Sequence, residues 1–333
     1  MRTASRPPRL GFLGTGWIGR HRMRAILEAG VAEAACIADP SPEMAQAALQ
    51  DAPGAQLADG LEAMLAQDVD GVVIATPSAL HAAQSIACLR AGRAVFCQKP
   101  LGRTAEETRA VVDAARDAGL LLGVDLSYRH TEGMRRIRDL VSSGALGRVF
   151  AADLVFHNAY GPDKPWFYDP ALSGGGCVMD LGVHLVDLAL WVLDGQEVTG
   201  VSSRLHAGGR PLADPERTVE DHAVASLDLR DGAVVRLACS WRLQAGCEAE
   251  IGASFYGTEG GATFHNVSGS FYDFSAGLNR GTVRETLAGP PDDWGGRAAV
   301  AWARALAEGQ TFDPEAERLV AVAEVLDRIY GRA

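Results

Sequence analysis

Lysine is scarce in this 333-residue sequence, and long apolar runs and an excess of positive charge are missing. Lys99 and Lys164 are the two lysines among 31 basic residues, and the rest are arginines, as is typical of a GC-rich genome. No apolar run reaches the roughly 18 residues that a membrane-spanning helix needs, so no membrane span is expected. The 42 acidic residues outnumber the basic ones and no long basic run occurs, so neither nucleic acid nor an anionic membrane is expected as a partner.

The six cysteines are scattered along the chain without a C-x-x-C pair. They predict small buried side chains in a reducing compartment, and neither a disulfide framework nor a zinc site. The start, Met1 to Arg9, is polar and lacks the apolar stretch of a secretory signal. A cytoplasmic location is therefore expected.

Short apolar strands alternate with amphipathic helices through residues 1–125. The predicted strands are Leu10–Leu13, Ala34–Ala38, Gly71–Ala75, Ala94–Cys97 and Leu120–Val124. The predicted helices are Trp17–Ala29, Pro42–Gln50, Leu61–Ala66, Ala79–Ala91 and Ala105–Ala118. This alternation predicts an α/β domain, in which helices cover both faces of a parallel sheet.

Residues 126–333 follow a different pattern, with period-two strands joined by short turns. The predicted strands are Arg148–Asn158, Glu197–His206, Asp221–Leu229, Ala233–Trp241, Glu248–Tyr256, Ala262–Asn266 and Ser270–Phe274, with a long helix from about Cys177 to Leu193. They predict a second, α+β domain with an open, mostly antiparallel sheet. Its uncovered face predicts a homodimer or homotetramer formed through that sheet.

A glycine-rich turn, Gly14-Thr15-Gly16-Trp17-Ile18-Gly19, follows the first predicted strand. Such glycines let the backbone approach a diphosphate, and the next helix offers its free N–H groups to the phosphates. Asp39 ends the second strand, where a carboxylate would bind a ribose diol and repel the 2′-phosphate of NADP. The turn therefore predicts a Rossmann-type dinucleotide site for NAD rather than NADP, unless Asp39 simply caps the next helix.

Two further segments, Ala75-Thr76-Pro77 and Gln98-Lys99-Pro100, follow predicted parallel strands. Ligands bind at these strand ends in open α/β sheets, so the nicotinamide is expected near Thr76 and Lys99. Lys99 could donate to a substrate oxygen and stabilise the alkoxide that develops as hydride leaves. The alternative is a solvated surface lysine, which is the expectation for Lys164.

Together these motifs resemble the Gfo/Idh/MocA oxidoreductases, a family that includes glucose–fructose oxidoreductase and inositol dehydrogenase. The matching elements are Gly14-x-Gly16-x-x-Gly19, Ala75-Thr76-Pro77 with His81, Gln98-Lys99-Pro100, and Gly174-Gly175-Gly176 followed by Asp180 and His184. The resemblance covers essentially the whole chain and implies a two-domain NAD-dependent dehydrogenase. One departure is Gln98, because the family usually has Glu there, and its loss removes a negative charge beside Lys99.

Asp180 and His184 are four residues apart, so one helix face presents both side chains. Histidine can accept a hydroxyl proton near neutral pH, while Asp180 could hold the imidazole or bind a neighbouring hydroxyl. The spacing alone equally allows Asp180 to interact with the helix dipole and His184 to be a packed polar residue. The resemblance implies that both are catalytic, with Lys99 as the third member. A third metal ligand at suitable spacing is missing, so no metal is expected.

Flanking residues complete the predicted sites. The predicted cofactor contacts are Gly14, Thr15, Gly16, Trp17, Ile18, Gly19, Asp39, Ala75, Thr76, Pro77, His81, Gln98 and Lys99. The predicted substrate contacts are Lys99, Tyr128, Arg129, His157, Trp166, Asp180 and His184. Arg129 could equally form a structural ion pair, and the aromatic run Trp166-Phe167-Tyr168 could equally pack its own loop.

The sequence thus predicts an enzyme that oxidises a secondary hydroxyl of a sugar, inositol or related polyol with NAD. Two alternatives stay open. One is a glycosidase that uses NAD transiently, through oxidation, elimination and re-reduction. The other is a non-catalytic regulator that binds NAD or a sugar, which Gln98 leaves possible.

Overall fold

The computed structural model describes residues 6–332, which form two compact units. The first unit takes the described chain up to Gly102, together with Glu106–Asp125 and Gly296–Val320. The second takes Arg103–Ala105, Leu126–Gly295 and the described chain from Ala321 onward. Most of Met1 to Arg9, where no secretory signal was expected, lies outside the described residues.

The strands and α-helices have the following bounds. The strands are β1 (Arg9–Leu13), β2 (Glu33–Ala38), β3 (Gln56–Leu57), β4 (Gly71–Ile74), β5 (Ala94–Cys97), β6 (Leu122–Val124), β7 (Val149–Asn158), β8 (Val198–Ala207), β9 (Arg210–Pro211), β10 (His222–Leu229), β11 (Val234–Ser240), β12 (Ala249–Gly257), β13 (Gly261–Asn266), β14 (Phe274–Arg280) and β15 (Val283–Ala288). The helices are α1 (Trp17–Glu28), α2 (Pro42–Asp51), α3 (Gly60–Leu65), α4 (Ser78–Arg90), α5 (Ala105–Ala118), α6 (Glu132–Ser142), α7 (Pro170–Ser173), α8 (Val183–Val192), α9 (Arg297–Ala307) and α10 (Glu317–Tyr330).

The first unit is the predicted parallel α/β sheet, with strand order β3-β2-β1-β4-β5-β6. Every residue of β4 and β5 is buried, as expected of strands covered on both faces. The sequence does not predict β3, since this strand consists of only two residues and both are exposed. The division at residue 125 also placed α9 in the other domain. In the structure, Trp302 of α9 packs where Gly71 and Gly123 leave room on this sheet.

The second unit contains the predicted, mostly antiparallel sheet, in the order β15-β14-β13-β12-β7-β11-β10-β8-β9. The β7–β11 pair is parallel, and the other neighbours are antiparallel. Side chains from one face of this sheet form a core with α6, α8 and the later part of α10. The predicted strand Ser270–Phe274 is wrong: the chain turns there, and β14 only begins at Phe274.

The predicted long helix from Cys177 to Leu193 starts with a π-helical turn, Val178–Gly182, and continues as α8. Every residue of α8 is buried. The segment Pro170–Val192 is long and apolar enough to cross a membrane, but 94% of its most apolar window is buried inside the fold. Such burial is the pattern of a core helix.

The six cysteines are free thiols, and five of them are buried as predicted. Cys247 is exposed, which corrects the expectation that all six would be buried. It lies in the loop between β11 and β12.

Candidate functional site

The glycine turn after β1 is held close to the neighbouring strand end. Gly14 has φ +84°, and a Cβ there would lie 2.7 Å from the backbone of Ala75. A Cβ on Gly19 would lie 2.1 Å from the Gly14 carbonyl oxygen, so both positions require glycine. The third glycine, Gly16, faces open space with no atom within 4 Å of such a Cβ. Close packing at two glycines and open space at the third is the arrangement that lets a diphosphate approach the backbone.

The start of α1 fits a phosphate group. Gly16 is the residue before the helix, no side chain caps its N–H groups, and no acidic residue lies in its first turn. Uncapped N–H groups and the positive end of the helix dipole together favour an anion. Trp17, the first residue of α1, is 69% exposed beside this turn. The residues present therefore fit a dinucleotide.

Asp39 is fixed against the glycine turn at the end of β2. One carboxylate oxygen accepts a hydrogen bond from the Thr15 N–H at 2.6 Å, and the other accepts one from the Ser41 N–H at 2.9 Å. The cap of α2 is Ser41, whose hydroxyl accepts from the Met44 N–H. The alternative that Asp39 caps this helix is therefore wrong. Its half-buried carboxylate instead stays beside the predicted phosphate turn.

His81 is placed differently from the predicted cofactor contact. Its ring is 1% exposed, with Nδ1 2.6 Å from the Pro100 carbonyl oxygen and Nε2 2.7 Å from that of Thr76. Burial lowers the pKa of His81, and the two carbonyl oxygens oppose this. The ring thus joins the segments that follow β4 and β5, and it can only affect a cofactor through them. Thr76 itself donates its hydroxyl to the Gln84 side chain at 2.6 Å.

Gln98 belongs to a buried polar cluster. Its Nε2 donates to Asp125 Oδ2 at 2.6 Å, and Arg22 Nε donates to the same oxygen at 2.6 Å. All three side chains are buried. A glutamate at position 98 would place two carboxylates against each other, so an amide suits Asp125. Lys99 follows directly and is half-buried.

In the second unit, a hydrogen bond fixes Asp180 on the π-helical turn. The indole Nε1 of Trp241 donates to Asp180 Oδ2 at 3.1 Å, and Trp241 is 3% exposed. Trp241 is a site residue that the sequence motifs do not mark. Its only signal is an aromatic residue at the end of an alternating strand, which is more often a core residue than a site residue.

His184 lies on α8 among aromatic rings. The Tyr128 ring packs edge-on against it at 4.9 Å between centroids, and the Phe156 ring lies at 6.3 Å. Tyr128 and His184 are 8% and 7% exposed. The predicted substrate residue Tyr128 is therefore a direct neighbour of His184 and limits how its imidazole can turn.

Arg129 forms a structural ion pair, which was the alternative to its predicted substrate contact. Its Nε donates to Asp187 Oδ2 at 2.8 Å, and its Nη2 contacts the other carboxylate oxygen. Burial raises the pKa of Asp187, and the guanidinium of Arg129 opposes that rise. Removing either partner would leave a buried charge unpaired.

His157 lies on the wrong face of the sheet for its predicted role. Adjacent residues of a strand point to opposite faces, and Phe156 is the one whose ring contacts His184. His157 instead faces away from α8, and its Nδ1 lies 2.8 Å from the hydroxyl of Ser240. His157 therefore does not share a face of the sheet with the ring that packs on His184.

The aromatic loop packs against the same indole that holds Asp180. Trp166 stacks on Phe167 at 3.8 Å, while Phe167 and Tyr168 meet Trp241 edge-on at 6.4 and 5.6 Å. Loop packing, the alternative given above, is thus observed for this run. Trp166 is half-buried and stays a proposed substrate contact. Lys164 is 64% exposed beside Asp163, as expected of a solvated lysine.

Two family models match this chain. One, described as an oxidoreductase family with an NAD-binding Rossmann fold, covers residues 9–126, and the GFO/IDH/MocA C-terminal domain covers residues 134–263. Inositol 2-dehydrogenase of Rhodococcus erythropolis is 31% identical over 318 residues, which are 94% of this chain and 82% of that protein. The chain belongs to the GFO/IDH/MocA family. The resemblance inferred from the motifs is confirmed, and so is the predicted fold class.

Two further matches agree with this assignment. The 1,5-anhydro-D-fructose reductase of Ensifer adhaerens is 31% identical over 262 residues, 78% of this chain and 76% of that one. The crystal structure of GenD2 from gentamicin A biosynthesis, in complex with NAD, has a TM-score of 0.81. It is 25% identical and covers 99% of this chain and 95% of its own. The chain is therefore an oxidoreductase whose first unit is an NAD-binding Rossmann domain.

Proposed function

We propose that this GFO/IDH/MocA protein oxidises a secondary hydroxyl of a sugar, inositol or related polyol. The observation that carries the proposal is the pair of Asp180 and His184 on one buried helix, with the carboxylate held by Trp241. A fixed carboxylate and a nearby imidazole suit a substrate with neighbouring hydroxyls. The relatives named as an inositol dehydrogenase and an anhydrofructose reductase support this substrate class.

The proposed roles follow from the chemistry of each side chain. His184 accepts the hydroxyl proton as the C–H and O–H bonds of the substrate break and its carbonyl forms. Asp180 accepts a hydrogen bond from an adjacent hydroxyl, and Lys99 stabilises the negative charge that develops on the oxygen. NAD, when bound, supplies the hydride acceptor. The glycine turn and Asp39 are proposed to hold its diphosphate and its adenosine ribose.

A spectrophotometric screen for NADH tests this function. Myo-inositol and a panel of hexoses are offered with NAD, and 1,5-anhydro-D-fructose is offered with NADH for the reverse reaction. The proposal expects net conversion of the cofactor with at least one compound. Tight NAD binding without conversion would contradict it and favour the regulator. Release of a sugar from a glycoside without net NADH would favour the NAD-dependent glycosidase.

We also propose that two or four copies assemble through the sheet face that lies opposite α8. Val224 and Tyr256 are 39% and 40% exposed, and a groove of about 660 Å³ crosses β7, β8, β10 and β11. Exposed apolar side chains on a broad sheet favour a protein partner, and a second copy of the chain is the simplest one.

A further inference from the structure

A buried carboxylate, Glu220, lies at the start of the helix that carries Asp180 and His184. It is 1% exposed and immediately precedes Asp221 and strand β10. Its Oε1 accepts hydrogen bonds from the Val178 N–H at 2.8 Å and from the Tyr330 hydroxyl at 2.7 Å. The Gly176 N–H lies 3.0 Å from both of its oxygens.

The same contacts explain two of the three glycines before this helix, Gly175 and Gly176. A Cβ on Gly176 would lie 1.9 Å from the Glu220 carbonyl oxygen, and one on Gly175 would lie 2.0 Å from the Tyr330 hydroxyl oxygen. Gly174 has φ +84°, a conformation that other residues rarely adopt. Glycine is therefore required at positions 175 and 176, because Tyr330 and Glu220 pack directly on the backbone there.

The charge of Glu220 lies where the helix is most positive. The first N–H groups of a helix act as a partial positive charge, and a carboxylate there offsets it. Burial raises the pKa of Glu220, and the hydrogen bonds from the Val178 N–H, the Tyr330 hydroxyl and the Gly176 N–H oppose that rise by favouring the ionised form. The other ionisable groups nearby are Tyr330, Cys177 and Asp180, with Arg332 stacked on the Tyr330 ring at 4.3 Å.

We propose that Glu220 is a positioning residue for the reaction. Its carboxylate fixes the π-helical turn that presents Asp180, and its negative charge favours the protonated imidazole of His184. This inference rests on the proposed function for its kinetic consequences. The fixing of the turn can be measured without any turnover.

The distance over which Glu220 acts sets the size of the effect. Val178 and His184 are six residues apart, which is about 9 Å along a helix. One unit charge at that distance, partly screened, changes a proton equilibrium by roughly 0.5 pH unit or more. Tyr128 packs directly on His184, Asp180 and Asp187 are four and three residues away along the chain, and Arg129 pairs with Asp187; the variants below leave these four residues in place.

The test compares Glu220→Gln, which removes the charge, with Tyr330→Phe, which removes one hydrogen bond and keeps the charge. With the best substrate of the NADH screen, Glu220→Gln is expected to lower kcat roughly 10-fold, with a smaller change in KM. It also moves the acid limb of the kcat/KM profile to lower pH by roughly 0.5 unit or more. Tyr330→Phe leaves that limb within about 0.2 unit. If the acid limb moves equally in both variants, or does not move in Glu220→Gln, the proposed effect of the Glu220 charge on His184 is overturned.

Hydrogen–deuterium exchange tests the positioning part independently of activity. In the NAD-loaded protein, both variants should exchange the amides of residues 176–182 faster, with Glu220→Gln the faster, while the amides of β1 and β4 stay unchanged. Protection of 176–182 that equals wild type in both variants would overturn the proposal. If exchange changes as expected but no compound is converted, the proposed function fails and the positioning of the turn stands. If Glu220→Gln does not fold, the amide exchange of residues 176–182 is compared in Tyr330→Phe and Glu220→Asp instead.

Discussion

Gln98 shows how a single side chain depends on its buried neighbours. Its amide and the Arg22 guanidinium donate to one oxygen of Asp125, so this cluster holds one cation and one anion. The amide at position 98 can donate a hydrogen bond to Asp125, whereas a carboxylate at this position could not. Gln98 thus fits its buried neighbours, and the departure from glutamate does not by itself argue against turnover.

The variant Gln98→Glu is expected to destabilise the protein by about 1–3 kcal/mol at pH 7, because it opposes two buried carboxylates. Denaturant unfolding measures this loss. It should shrink as the pH falls toward 4, because protonation of either carboxyl relieves the repulsion. The double variant Gln98→Glu with Asp125→Asn again pairs one carboxylate acceptor with one amide donor. It should recover most of the lost free energy of unfolding. A single variant as stable as wild type at pH 7 would contradict this account.

Lys99 and Lys164 offer a matched pair, because they are the two lysines of the chain. Lys99→Met is expected to lower kcat by roughly 100-fold or more, since it removes the proposed stabilisation of the developing alkoxide. Lys164→Met, at an exposed position, should leave kcat within about 2-fold. Steady-state NADH formation compares them. Near wild-type kcat in Lys99→Met would remove Lys99 from the mechanism.

At the scale of elements, polar residues form a row across the second sheet, on the face opposite α8. His222 of β10 lies opposite His206 of β8 and Ser240 of β11, and Ser240 lies opposite His157 of β7. Burial lowers the pKa of His157 and of His222. Glu250 opposes this at His157, and Asp221 opposes it at His222.

These lowered pKa values predict a loss of stability on acidification. Unfolded histidine titrates near pH 6.5, and a lower pKa in the folded state means that the unfolded chain binds more protons below that pH. Stability that is present above pH 6.5 is therefore lost as the pH falls below it. Urea unfolding between pH 7.5 and 5 should show this slope, and His157→Gln with His222→Gln should flatten it. An unchanged slope in the double variant would refute the assignment to these histidines.

The strands and helices of the first unit could be predicted because each is a short apolar or amphipathic run with a clear period. The strand β3 could not, since it consists of two exposed residues that pair with β2. The position of α9 depends on the packing of Trp302 against Gly71 and Gly123. These glycines are far from Trp302 in the sequence, so no local pattern predicts the contact.

Residues of the candidate site could be proposed from the sequence where a local motif marks them, and not where tertiary contacts bring them together. The glycine turn and the Asp180–His184 spacing are local. Trp241 follows β11 and Glu220 precedes β10, and both contact that helix from more than 40 residues away in the sequence, so their spacing gives no signal. The wrong face of His157 could have been foreseen, because alternation places it opposite to Phe156.

At the scale of the whole molecule, the proposed assembly depends on the exposed sheet face. Val224→Lys with Tyr256→Lys places two charges on that face, and desolvating them would cost several kcal/mol in an interface. Light scattering after size-exclusion chromatography should show a dimer or tetramer for wild type and a monomer for this variant. Val283→Lys on β15, where Val283 is 69% exposed, serves as the control. Unchanged mass in the double variant would contradict an interface at this face.

The most direct test of the catalytic account compares two histidines. His184 lies on α8, which packs on one face of the second sheet, and His157 of β7 points to the opposite face. His184→Gln and His157→Gln are assayed side by side for NADH formation with the best polyol of the screen. We predict that kcat falls by roughly 100-fold or more in His184→Gln, as expected on removal of a general base. His157→Gln should stay within about 2-fold of wild type. A His184→Gln variant with near wild-type kcat would contradict the central claim that this helix carries the proton transfer.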